Sequence, residues 1–115
     1  MRMHPIPRFL LPHSATHRYG VKTQNDAGQD SYESSQTLTR VRFEPSTKLV
    51  KTKDNNERQL SAMMFFDCRN SSPSGVTFAL GDQIERSGGS TYEVVGGTEP
   101  VFDGRTAHHY EVELL

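Results

Sequence analysis

The sequence predicts an all-β protein, a small curved antiparallel barrel of six or seven short strands with an extended N-terminal arm and one long loop. Three observations carry that expectation. Apolar residues recur with period two, as in "TLTRVRF" and "HHYEVELL", and there is almost no room for a long helix. Clusters of turn residues ("NDAGQD", "NSSPSG", "SGGS", "DGR") punctuate these runs at short intervals. A chain of 115 residues supports one core and buries about two-thirds of its unfolded surface. That is too little for two broad layers, so closing the sheet is the expected protection for its edges.

Pro5, Pro7 and Pro12 make residues 1–15 an arm, because proline has no N–H and biases its predecessor away from the helical region. Phe9, Leu10 and Leu11 tack part of it onto the domain, residues 16–115. His17, Tyr19 and Val21 alternate in a first strand, "NDAGQD" turns the chain, and Tyr32 resumes an extended run. In "TLTRVRFEPS", Thr39, Val41 and Phe43 are expected on one face and Leu38, Arg40 and Arg42 on the other, with Pro45 as the end.

Residues 46–59 then form the long polar loop. Asn56 can cap a helical turn or two leading through "NNERQLSAMMFF". In "LSAMMFFDC" both faces are apolar, so this strand is expected to be central or covered. Val76, Phe78 and Leu80 line one face of a further run, "GVTFAL". "GDQIERSGGSTYEVVGG" reads as a hairpin with Ile84 before the turn and Tyr92, Val94 and Val95 after it. "DGR" turns into a final strand in which His108, Tyr110, Val112 and Leu114 share a face.

Little in this text suits catalysis. Cys68 is the sole cysteine, which rules out an internal disulfide and a Cys-rich zinc site and leaves a buried reduced thiol as the leading reading. An activated thiol with His108 or His109 as base is the alternative. Neither His13 and His17 nor His108 and His109 come with acid or thiol ligands at a metal-binding spacing, and a strand sends His108 and His109 to opposite faces. No nucleophile elbow, phosphate loop or zinc-protease motif occurs, so no catalytic residue, cofactor or metal is expected and the chain is not an enzyme. The apolar run in "IPRFLLP" is too short for a signal core, and nothing approaches a membrane span, so a soluble intracellular origin is expected, with no membrane partner.

Formal charge is −1, unevenly spread. Positions 1–22 carry four Lys/Arg and no acid, 40–58 carry six basic and three acidic residues, and 82–115 carry seven acidic and two basic. Lys48, Lys51, Lys53 and Arg58 decorate the long loop, opposed by Asp54 and Glu57. Such groups contact phosphates in a salt-dependent way, but with no aromatic platform and no recognition helix, base reading is disfavoured. A solvated basic loop is the plain alternative.

The phrases "IPRFLLPHS", "VRFEPSTKLV", "NNERQLSAMMFFDCRNS", "GDQI", "YEVVGGTEPVFD" and "HHYEVELL" span almost the whole chain in that order. Through them the sequence resembles the minor capsid proteins encoded in the head-to-tail module of tailed phages and prophages of Gram-positive bacteria, which are similar to head-closure, or stopper, connector proteins. The resemblance implies a small β-barrel in a ring, usually of twelve copies, between a portal/adaptor ring and the tail proteins. It implies a location in the virion neck, with assembly in the host cytoplasm. It also implies that the loop carrying Lys48, Lys51, Lys53 and Arg58 faces the channel, where basic residues suit non-specific contact with packaged double-stranded DNA. Arg2, Arg8, Phe9, Leu10 and Leu11 are the corresponding candidates for an assembly arm. Competing readings are an adaptor or tail-completion protein of the same neck and a stand-alone, non-specific nucleic-acid-binding module.

Overall fold

The computed structural model describes residues 4–51 and 54–115. After a single 3₁₀ turn, Arg8–Leu10, the strands are β1 His13–Gln24, β2 Asp30–Pro45, β3 Leu49–Lys51, β4 Glu57–Gln59, β5 Ala62–Asp67, β6 Gln83–Arg86, β7 Thr91–Gly96, β8 Val101–Asp103 and β9 Thr106–Leu114. Seven of them form one antiparallel sheet in the order β5-β2-β1-β6-β7-β9-β8, while among the described residues β3 and β4 pair only with each other.

The expected barrel of six or seven short strands is overturned. The seven strands do not form one closed barrel: among the described residues β8 pairs with β9 alone and keeps an open edge, although a further ladder joins β5 to β9. By occupying the N-terminal part of that side of β9, β8 leaves β7 only two residue pairs at its end, with an irregularity between them. The six-residue ladder between β5 and β9 bends the sheet around its core. Strand lengths are also unequal, with 12 residues in β1 and 16 in β2 against three in β8.

Each inward face follows from the pleat, with one informative exception. Ala62, Met64 and Phe66 of β5 are buried between β2 and β9, so this strand is central as expected. Tyr110, Val112 and Leu114 of β9 are buried on the expected face. In β2 the expected alternation fails, because Leu38 and Val41 are both fully buried although three residues apart. Arg40 takes a positive φ of 56° and the β1 register skips there, Ser14 opposing Thr39 and His13 opposing Val41. This is a β-bulge, and it turns two apolar residues of unequal parity into one core.

Two further expectations change. Residues 57–59 are strand rather than helix, since they find a ladder partner in 49–51. "GVTFAL" is irregular: Val76 and Phe78 are buried, but Leu80 is 51% exposed. Phe78 packs edge-on to Phe66 and Tyr110, with ring centroids 5.7 and 5.1 Å away.

The core also contains a polar group. His17 is fully buried, with its Nε2 2.8 Å from Asp82 Oδ2 and its Nδ1 3.0 Å from the Gln36 side-chain nitrogen. An amide NH₂ can only donate, so Nδ1 accepts and the ring proton lies on Nε2, donated to Asp82. Asp82 accepts a second bond, from the Ala79 N–H. Together these contacts fix β1, β2 and the turn into β6 against one another.

At the end of β7, Gly97 has φ +68°, and a Cβ there would lie 1.9 Å from the Glu111 carbonyl oxygen. Gly28, at the β1–β2 turn with φ +79°, faces open space. Gly28→Ala is expected to cost about 1–2 kcal/mol from left-handed backbone alone. Gly97→Ala adds a backbone collision and is expected to cost clearly more in urea denaturation. Equal losses would show that β7 does not approach β9 this closely.

Candidate assembly surface

The N-terminal candidates lie along the sheet. Pro7 (φ −57°) precedes a turn closed by Leu10 N–H to Pro7 O and Leu11 N–H to Arg8 O, both 3.0 Å. Leu11 is buried, whereas Arg8 is exposed and Phe9 and Leu10 are 81% and 40% exposed. Arg2 lies outside the described residues. What holds this segment is a set of polar tethers. Ile6 N–H donates to Asp67 Oδ2 at 2.7 Å, the Asn70 side-chain amide donates to Ile6 O at 2.8 Å, and His108 Nε2 is 2.6 Å from His4 O. Sequence reasoning named His108 only as a candidate base and paired none of these residues with the N-terminal segment, because each is about sixty residues or more away from its mate.

Within the long loop expected at 46–59, residues 49–51 and 57–59 pair as a short ribbon. Lys48 pairs through Nζ with Glu113 of β9, and its backbone carbonyl accepts the Leu60 N–H. The Glu113 carboxylate raises the Lys48 pKa, first by hydrogen bonding and then by charge. Lys51 and Arg58 are exposed on the ribbon, and Lys53 lies outside the described residues. Beneath the ribbon runs a groove of about 450 Å³ lined by Lys51, Arg58, Leu80, Glu93, Val95 and Leu115. The structure therefore brings Lys51 and Arg58 together at one groove and commits Lys48 to an ion pair inside the subunit. Arg42, expected beside Arg40 on a basic strand face, is turned to Glu44 at 2.8 Å, and the bulge separates the two arginines.

The element that sequence reasoning underrated is the β1–β2 hairpin. Beyond Arg18, β1 pairs with β2 and no third strand. Its distal half is laced by polar cross-strand contacts: Thr23 to Ser31, Gln24 to Asp30, and Lys22 to Asp30 at 3.2 Å. Asp30 raises the Lys22 pKa, chiefly through this hydrogen bond. The molecule measures 52 × 29 × 26 Å, elongated as a projecting hairpin requires. The signal in the text was "KTQNDAGQDSY", a turn flanked on both sides by polar β-tolerant residues.

Cys68 sits in a second groove, of about 500 Å³, with Asp67, Arg69, Asp103 and His108. It is half-buried rather than buried, and its N–H donates to the His108 carbonyl. Contrary to a simple strand alternation, His108 and His109 touch, with their Nδ1 atoms 2.7 Å apart. All four ring nitrogens are engaged with each other, with His4 O or with Glu111, so neither imidazole presents a free nitrogen to the sulfur. Among the described residues no cluster of three or more His, Cys, Asp or Glu could hold a metal, and no helix is long and apolar enough to cross a membrane.

The family model described as "Minor capsid protein" matches residues 7–114. No curated protein and no solved structure matches the chain.

Burial, and secondly the Asp67 charge, push the Cys68 thiol up, which lowers its thiolate fraction near neutral pH. Alkylation of the folded protein at neutral pH is expected to be slower than that of a short cysteine peptide, with urea removing the difference. Faster reaction than the peptide would show an activated thiol and reopen thiol chemistry.

Proposed function

The chain belongs to the minor capsid protein family, and from that premise we propose that it is a head–tail connector of a tailed phage or prophage, a neck component that assembles as a ring, closes the DNA exit channel and docks the tail. Family membership gives a structural virion role rather than a catalytic one. The finer assignment rests on that match over nearly the whole chain, together with two β-ribbons that extend beyond the packed sheet and offer surface for partners above, below and beside a copy. Portal or adaptor subunits, tail proteins and further copies of the chain are the partners this reading requires.

Within it, Lys51, Lys53 and Arg58 are the groups proposed to meet the phosphates of packaged DNA. Lys48 plays a different part, holding the ribbon to β9 through Glu113. Each phosphate neutralised contributes about 0.9 to the salt slope of binding, so a ring of copies amplifies a contact too weak in one. Exposed charges stabilise a fold by at most about 1 kcal/mol.

The triple charge reversal Lys51→Glu, Lys53→Glu, Arg58→Glu is therefore expected to leave the denaturation midpoint almost unchanged. Full heads carrying it should lose packaged DNA faster than wild type in a nuclease-protection assay. Equal retention, with the variant incorporated normally, would remove the DNA-facing role of the ribbon.

A further inference from the structure

The two adjacent histidines of β9 form a hydrogen-bonded chain that reaches the N-terminal segment. From one end to the other, Glu111 Oε2 is 2.9 Å from His109 Nε2, His109 Nδ1 is 2.7 Å from His108 Nδ1, and His108 Nε2 is 2.6 Å from His4 O. The two ends are acceptors. A carbonyl oxygen cannot donate, so His108 Nε2 must carry a proton; an ionised carboxylate cannot donate, so His109 Nε2 must carry one as well. The central contact needs one proton and has room for only one. All three bonds are made together only when the two imidazoles carry three protons between them, one shared imidazolium with the Glu111 carboxylate as its counter-charge.

We propose that this chain is a proton-counting latch, which holds residues 4–6 against β9 when the histidine pair carries one positive charge and loosens them when it carries none or two. With two ring protons in total, one of the three bonds is lost, either between the rings or at an end. With four, two N–H groups face each other at a separation that suits a single hydrogen bond. Holding is therefore strongest in the middle of the range and weaker on both sides, unlike the one-sided profile of a single histidine.

The other titratable or charged groups packed around the pair are His4 of the latched segment itself, Asp67, which opposes His109 across the β5–β9 ladder, Cys68 and Arg69 in the turn after β5, and Asp103 of β8. Of these, Asp67 has both carboxylate oxygens occupied by backbone N–H donors. Burial, and secondly the Asp67 charge, hold the Cys68 thiol above its ordinary range. Control of the arm thus falls to the histidines.

The latch goes beyond the neck assignment and does not depend on it, since it is read on the isolated protein. The measurement is amide exchange of Ile6, whose N–H donates to Asp67, followed by NMR from about pH 5 to about pH 8 and corrected for the intrinsic rate. Ile6 protection is expected to pass through a maximum and fall about fivefold on each side, the effect of losing one hydrogen bond, while the core amide of Met64 stays protected. Glu111→Gln is expected to move the maximum to lower pH, because the shared proton loses its counter-charge. His109→Gln is expected to abolish the maximum with Met64 still protected. A flat or one-sided wild-type profile, or an unmoved maximum in Glu111→Gln, would overturn the latch.

Discussion

Much of this architecture depends on one buried carboxylate. Asp67, at the end of β5, is 1% exposed and accepts N–H donors from Arg69 and Asn70 on one oxygen and from Ile6 on the other. An ion in that position without donors would cost several kcal/mol; with three backbone donors it organises everything around it. The Asp67 main chain closes a further loop, since its N–H donates to Ser71 Oγ and its carbonyl accepts the Ser71 N–H. Ser71 in turn donates to the Arg40 carbonyl, and Thr39 and Ser72 exchange backbone bonds. The turn after β5 thus pairs the bulge in β2, and the bulge is what allows Leu38 and Val41 to enter the same core. The carboxylate that shapes the turn also anchors the N-terminal segment.

A second buried polar centre governs the opposite side of the sheet. Burial of one face already specifies strand register, and the chain Gln36–His17–Asp82 adds polar contacts that a slipped register would leave unmade. At the edge, Arg18 reinforces that register by donating to both Gln83 and Glu85 of β6 at 2.7 Å. Between the two centres lies the apolar cluster of Phe66, Phe78 and Tyr110 with Met64, Ile84, Val94, Val112 and Leu114.

These interior constraints leave the ribbons free for function. A two-stranded ribbon outside the sheet contributes few core contacts, so its side chains can be chosen for partners. Here one ribbon is a long polar hairpin and the other is short and basic. Their unlike chemistry gives the molecule two distinct exposed surfaces. The segment from His4 to Leu11 adds a third surface, with Phe9 presented to solvent on a turn whose Leu11 is buried beneath.

Local pattern was enough to read the all-β class, the central strand 62–67, the hairpin around "SGGS" and the inward face of β9, because alternation and turn chemistry are properties of neighbouring residues. It was also enough to identify the basic character of residues 46–59. Three things lay beyond it. Arg40 looks like any residue in an alternating run, and its left-handed backbone is held by residues some thirty positions on, where Ser71 donates to the Arg40 carbonyl and Ser72 exchanges backbone bonds with Thr39. Lys48 reads as one more loop lysine until Glu113 is brought against it. The open edge is that of β8, a three-residue strand whose place beside the start of β9 is fixed by pairs that no local pattern announces. Sequence by itself determined which segments are extended and which faces are apolar; tertiary structure decided the register, the open edge and the partners of each buried charge, because those depend on hydrogen bonds between residues far apart in the chain.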